Sequence, residues 1–124
     1  MEDLFWALAD RTRLRLLNLI GDDEVCVCFL VEILGISQPT ASRHLGYLRR
    51  AGIVGARREG KWMHYRIIPP SDPNAARVLQ EARGWFQRDP DMQGDRKRLV
   101  RVCCAAELPV PLKGAPRPTV VSPT

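Results

Sequence analysis

The chain has 124 residues, enough for one hydrophobic core and too few for a core domain joined to a second, catalytic one. Apolar residues make up 45% and charged residues 27%, a globular balance that excludes disorder throughout the chain. There is no apolar run of the ~18 residues that a membrane helix needs, and residues 1–15 mix acids with arginines, so neither a membrane span nor a signal peptide is expected and the reading is cytoplasmic.

Residues 4–8, with Phe5, Trp6 and Leu8, predict a short apolar helix. Asp10 caps a second helix over 11–20, where Leu14, Leu17 and Ile20 recur at helical spacing and Gly21 is the stop. An acidic link through Asp22, Asp23 and Glu24 leads to a third helix over about 26–34, with Leu30, Ile33 and Leu34 as its buried stripe and Gly35 as its end. Ser37 caps a fourth helix that runs to about residue 51, and Pro39 is tolerated in its first turn because the N–H it lacks has no helical partner there. Ala41, Leu45 and Leu48 share one face of that helix, while Gln38, Thr40, Ser42, Arg43 and Tyr47 share the other. His44 lies on the same helix, either packing inward or joining that polar face.

Strands over 54–58 and 61–68 flank Glu59 and Gly60, a hairpin signal in which glycine supplies the positive φ. In the second strand Trp62, His64, Arg66 and Ile68 alternate with Met63, Tyr65 and Ile67, and Pro69-Pro70 ends the run. Asp72 caps a fifth helix with Pro73 at its first position and Val78, Leu79, Ala82, Trp85 and Phe86 as its stripe, and Asp89-Pro90 breaks it. Residues 94–106 hold a further helical piece rich in Arg and Lys, ending in Cys103-Cys104. The expected organisation is one domain over 1–106. From Leu108 onward five prolines in 17 residues leave no periodicity, so a flexible or loosely attached tail is expected over 107–124.

Charge locates the functional surface. Residues 38–68 hold seven basic side chains, Arg43, Arg49, Arg50, Arg57, Arg58, Lys61 and Arg66, against the single acid Glu59. That net of +6 exceeds the +5 of the whole chain, so the basic character is local. A local cationic patch suits phosphate-backbone binding through counterion release. The pattern sharpens this: a helix, a tight turn, a capped helix with a polar outer face and a basic hairpin make a winged helix-turn-helix, mainly α with a two-stranded β-hairpin wing. Gln38, Thr40, Ser42, Arg43, His44 and Tyr47 are the candidate contacts in the major groove, and Arg57, Arg58 and Lys61 reach the adjacent backbone or minor groove.

The run ISQPTASRHLGYLRRAGIVGARREGKWMHYRI, residues 36–67, resembles the DNA-binding core of the ArsR-type metalloregulatory repressors. LADRTRLRLLNLI before it resembles that family's second helix, and EVCVCFL, residues 24–30, resembles its arsenic-sensing branch. The resemblance covers roughly residues 4–79 and implies a homodimeric repressor that binds a palindromic operator and releases it when a metalloid binds. It also implies a dimer interface built from the first and last helices, here Leu4, Trp6 and Leu8 with Leu79, Trp85 and Phe86.

The four cysteines fall into two pairs, Cys26 with Cys28 and Cys103 with Cys104. Structural disulfides are not expected in a reducing compartment, and thiolates suit soft, thiophilic ions. In the resembled arsenic sensors the first motif carries a third cysteine, which would fall at Val31, and Phe29 replaces their usual polar residue. Inorganic As(III) prefers three thiolates. Residues two apart on a helix point about 200° apart, so Cys26 and Cys28 alone predict local unwinding, or a third sulfur borrowed from Cys103 or Cys104, within the chain or across a dimer. A methylated trivalent arsenical needs only two sulfurs, because carbon fills one of its positions. Some resembled proteins with a paired C-terminal cysteine select methylarsenite. The expectation is therefore an organoarsenical at Cys103-Cys104, with As(III) or Sb(III) next and no permanent cofactor. Arg96, Lys97, Arg98 and Arg101 precede that pair and would favour its thiolates.

Other classes fit less well. The cysteine spacings lack the two intervening residues of redox helices, and no phosphate loop, paired carboxylates or Ser-His-Asp set stands out, so an enzyme is not expected. A zinc site in the fifth helix would lack histidine. A repressor whose cysteine pairs sense oxidation remains the alternative, and a family member that senses nothing is a further one.

Overall fold

The computed structural model describes residues 2–105 and 107–118. The capping signals read above are the ones that start its helices. Asp10 accepts from Thr12 N at 2.7 Å and Arg13 N at 3.2 Å, Ser37 accepts from Thr40 N, and Asp72 accepts from Asn74 N at 2.9 Å. In chain order the elements are α1 (Glu2–Leu8), α2 (Arg11–Ile20), β1 (Val25–Cys26), α3 (Val27–Leu34), α4 (Gln38–Arg50), β2 (Val54–Glu59), β3 (Trp62–Ile67), α5 (Pro73–Arg88), α6 (Pro90–Cys103) and a 3-10 turn at Val110–Leu112. No helix of the described residues is long and apolar enough to cross a membrane.

The mainly α, winged helix-turn-helix reading holds, with one correction to the wing. The sheet has three antiparallel strands in the order β1-β3-β2, not two. Val25 pairs with Tyr65 and Cys26 with His64, so the start of the expected third helix is a strand instead. Two residues are too short for a period-2 pattern to show in a sequence, and they are held by the partner strand and by burial in the core.

Helix α2 lies at the centre, against α1, α3, α4, α6 and β3. Its burial is wider than a single stripe: Leu16, Leu17, Leu19 and Ile20 are fully enclosed, whereas Leu14 is only half-buried. Helix α3 buries Val27, Phe29, Leu30 and Ile33, and α4 buries Ala41, Leu45 and Leu48 as its spacing predicts.

Asp89-Pro90 is a joint rather than a gap. Asp89 ends α5 and caps α6 by accepting from Met92 N at 3.1 Å, and Pro90 sits in the first turn, where its missing N–H costs nothing. Helix α6 therefore begins four residues before the expected piece over 94–106 and belongs to the core through Met92 and Leu99. It is tied to α2 by Asn18 Nδ2 donating to Met92 O at 2.8 Å, by Arg96 donating to Leu19 O at 3.0 Å, and by a two-pronged Arg15–Asp95 pair at 2.8 and 3.0 Å. Asp95 is almost fully buried and also accepts from Arg98.

Part of the expected tail lies against the domain. The turn at Val110–Leu112 packs on α3, Leu112 is 1% exposed and Ala115 is buried. A strap can be held by one leucine and still show no periodicity. The rest of the expected tail, residues 119–124, lies outside the described residues. If the strap is part of the core, Leu112→Ala should cost about 2 kcal/mol or more, the low end for a buried leucine. Urea denaturation reads this directly, and a loosely attached tail would leave the midpoint unchanged.

Candidate nucleic-acid interface and thiol sites

The reader helix is set by its two ends and its inner face. Helix α3 stops at Gly35, whose φ of 64° and ψ of 32° lie in the left-handed region that glycine adopts without strain. Ser37 then caps α4, also donating to Thr40 Oγ1 at 2.8 Å. With Ala41, Leu45 and Leu48 turned into the core, Gln38, Ser42 and Arg43 are exposed and Thr40 is half-exposed. Arg43 forms no ion pair among the described residues, which leaves its guanidinium available.

His44 departs from the expected contact set. It is 9% exposed and its Nδ1 lies 3.4 Å from Arg13 Nη1. Burial chiefly, with Arg13 and Arg43 nearby, lowers its pKa despite the opposing field of Asp10, so it packs as a neutral ring. Tyr47 is half-buried, with Trp6 edge-on at 4.8 Å, Arg13 at 5.3 Å and Arg50 at 5.2 Å from its ring. Arg13 is itself buried, donating to Ala7 O at 2.7 Å and Trp6 O at 2.9 Å. This cluster fixes α4 against α1, and the sequence offered no sign of it beyond the residue types.

In the wing, Arg57, Arg58 and Lys61 are all exposed, but they are not equivalent. Arg58 and Lys61 have no ion pair among the described residues; Lys61 Nζ sits 4.8 Å from the Trp62 ring centre. Arg57 is held by Glu24, with Nε at 3.0 Å and Nη2 at 2.6 Å from Oε1, and lies 3.6 Å from Glu59. Arg57 holds the Glu24 carboxyl below its ordinary range, and Glu24 raises Arg57 in turn. Sequence reading passed over Glu24 because its partner lies 33 residues away.

All four cysteines are free thiols. Cys26 has an extended backbone, φ −66° and ψ 140°, and Cys28 stands in the first turn of α3. Their sulfurs are 2.8 Å apart, so the predicted unwinding is not needed: the strand-to-helix junction already brings the pair together. The hydrogen bond from Cys28 is the main cause lowering Cys26 to about 6, opposed by burial and helped by His64, while Cys28 is pushed up. The Cys103 and Cys104 sulfurs are 3.4 Å apart, with Cys103 buried and Cys104 exposed. Burial and the Cys104 thiol raise Cys103 to about 11, which Arg117 and Arg96 only partly offset. Arg96, one of the preceding cations, favours the Cys103 thiolate as expected, but burial and the Cys104 thiol outweigh it. Among the described residues no group of three or more His, Cys, Asp and Glu is disposed to hold a metal ion, so one chain does not combine the two pairs into a triad.

The family pattern described as bacterial regulatory proteins of the arsR family matches residues 10–55. The arsenical resistance operon repressor of Escherichia coli K12 is 40% identical over 105 residues, 84% of this chain and 88% of that protein. The chain belongs to the ArsR family. Solved structures agree: the transcriptional repressor BigR from Xylella fastidiosa is 34% identical with a TM-score of 0.56, covering 68% of this chain and 84% of that one. The antimony-specific transcriptional repressor AntR is 35% identical with a TM-score of 0.54, covering 68% and 75%. As an ArsR-family protein the chain is a winged-helix transcriptional repressor and not an enzyme. The family pattern spans Cys26 and Cys28 and stops before Cys103 and Cys104.

The residues expected at an ArsR-type dimer surface differ in exposure within the chain. Leu4, Leu79 and Phe86 are buried within the chain, and Leu8 is half-buried. Trp6 and Trp85 stay exposed at 53% and 40%, and Phe5, which sequence reading left out, joins them at 53%.

Cys26 gives this ArsR-family protein a pH signature. Between about 6 and the ordinary cysteine value of 9.0, the folded state holds a thiolate where the unfolded chain holds a thiol. Unfolding then takes up a proton, so this contribution to stability is complete above 9.0, falls as pH drops, and is gone below about 6. Thiolate absorbance in the folded protein should titrate with that midpoint, and Cys28→Ala should move it upward by removing the hydrogen bond.

Proposed function

We propose that the protein is a homodimeric repressor that leaves its operator when a trivalent arsenical bridges a pair of its cysteine sulfurs, methylarsenite being favoured over As(III) or Sb(III). The observation that carries this reading is the pairing itself: sulfurs at 2.8 Å in one site and 3.4 Å in the other. Two adjacent thiols match an arsenical with two exchangeable positions. Methylarsenite, CH3As(OH)2, gives up both oxygens as water to two thiols and keeps its methyl group. The names of the Escherichia coli relative and of the antimony-specific repressor support a metalloid as effector.

Cys103-Cys104 is the proposed organoarsenical site, supported by the exposed Cys104 thiol, which gives solvent access to the buried neighbour. Cys26-Cys28 is the second dithiol, more enclosed and partly ionised at neutral pH. On the DNA side, Gln38, Thr40, Ser42 and Arg43 face base edges, while Arg58 and Lys61 meet phosphates. Phe5, Trp6 and Trp85 supply apolar surface for the second protomer. Effector and operator must weaken each other's binding equally.

Two measurements test this reading on DNA from upstream of the protein's own gene. Arg43→Ala should cost about 1–3 kcal/mol and relax base preference, while Arg58→Ala should weaken all sequences alike and flatten the salt slope by about 0.9 per protomer. In a titration of the protein–DNA complex, methylarsenite should release the wild type and fail to release Cys103→Ser and Cys104→Ser. Loss of response only in Cys26→Ser and Cys28→Ser would move the site to the other pair. Unchanged release in all four variants would refute thiol sensing. The touching Cys26 and Cys28 sulfurs also favour a second reading, repression controlled by thiol oxidation. Reductant alone restoring DNA binding, with no arsenical present, would select it.

A further inference from the structure

Two of the wing cations, Arg57 and Arg66, share one carboxylate, and two, Arg58 and Lys61, do not. Glu24 stands in the link before β1, and its Oε1 takes both Nε and Nη2 of Arg57 from β2. Its Oε2 lies 3.9 Å from Arg66 Nη1 on β3. Glu24 thus spans the sheet from its β1 edge to the arginines of the two hairpin strands. Both arginines are about half exposed, on the segment that carries the net +6.

We propose that Glu24 is a built-in competitor for operator phosphate, holding Arg57 in the DNA-free protein and yielding it when the wing meets the duplex. The inference rests on the reading that this wing faces DNA. The physical case is one of matched chemistry. A carboxylate and a phosphate ask for the same fork of guanidinium donors, and Arg57 has already given two of them to one oxygen. An exposed ion pair is weak enough to exchange in favour of the denser charge of a duplex. Arg58, next in the chain, lacks such a partner among the described residues. The wing therefore offers Arg58 and Lys61 to phosphate at once and Arg57 only after an exchange. Glu24 is two residues from Cys26, in the same lead into β1, so the latch and one thiol pair share a short piece of backbone.

The test compares operator affinity and its salt dependence for the full-length wild type, Glu24→Gln, Arg57→Gln and the double variant, without any arsenical. Glu24→Gln keeps the shape and removes the charge. It should tighten binding by up to about fivefold per protomer and steepen the slope of log affinity against log salt by up to about 0.9 per protomer, because no freed carboxylate is left beside the duplex to hold back a cation. In the Arg57→Gln background the same change should do neither. Equal affinity and slope for the wild type and Glu24→Gln would overturn the proposal. So would weaker binding by Glu24→Gln, which would make Glu24 a brace that orients Arg57 for DNA. A melting curve for each variant separates these results from loss of fold. Absence of binding by the wild type to operator or unrelated duplex would instead overturn the DNA-facing reading of the wing.

Discussion

The pairing of Val25 and Cys26 with Tyr65 and His64 is the contact on which the rest of this molecule's functional geometry depends. Had α3 begun at Cys26, as its apolar run suggests, Cys26 and Cys28 would lie on opposite sides of a helix. The extended backbone at Cys26 instead turns its sulfur onto that of Cys28. The same two residues close the open side of β3, which buries His64 and Tyr65 on successive positions of one strand. They also bring Glu24 to the wing arginines. A two-residue ladder contributes little on its own, and it persists because Val25 and Cys26 are both enclosed in the core.

Charge in this protein is organised by burial as much as by sequence position. The basic segment nets +6, yet its members differ in what they can offer a duplex. Arg57 and Arg66 face Glu24, and Arg50 lies over Tyr47. Outside the segment, Arg13 and Asp95 are buried charges satisfied on all sides, Arg13 by two carbonyls and two rings, Asp95 by Arg15 and Arg98. Such groups are costly to strip of partners, so they hold one geometry rather than add net stability. A count of arginines overstates the surface available to phosphate, and the ion pairs say which members are spent.

Local signals in the sequence located the helices and the hairpin well, because caps, stops and periodicity act within a few residues. Asp10, Ser37, Gly35 and Asp72 each sit where they were read. The misses share one cause, a partner distant in the chain. β1 exists only against β3, Leu112 is buried only because α3 is there, and His44 turns inward because Arg13 is on the other side of it. Leu4, Leu79 and Phe86 were legible as apolar but not as already covered. The exposure of Gln38, Ser42, Arg43, Arg58 and Lys61 was readable because an amphipathic helix and a two-residue turn state their own faces. The state of each thiol was not readable, since it depends on burial and on a neighbouring sulfur.

Both thiol pairs end at the same helix. Cys28 belongs to α3, the first helix of the reader motif, and α3 packs on α2 and α4. Cys103 closes α6, which is fastened to α2 by Asn18, Arg15 and Arg96. Helix α2 in turn carries Arg13, whose guanidinium sits between Trp6 of α1 and Tyr47 of α4. Under the proposed function, each thiol pair would reach α4 through its packing on α2, whose Arg13 makes a buried contact with the inner side of α4. Close-packed interiors shift between discrete arrangements rather than yield continuously, so a small movement of α2 must be taken up at Arg13, where the helix carrying Trp6 and the helix carrying Arg43 meet.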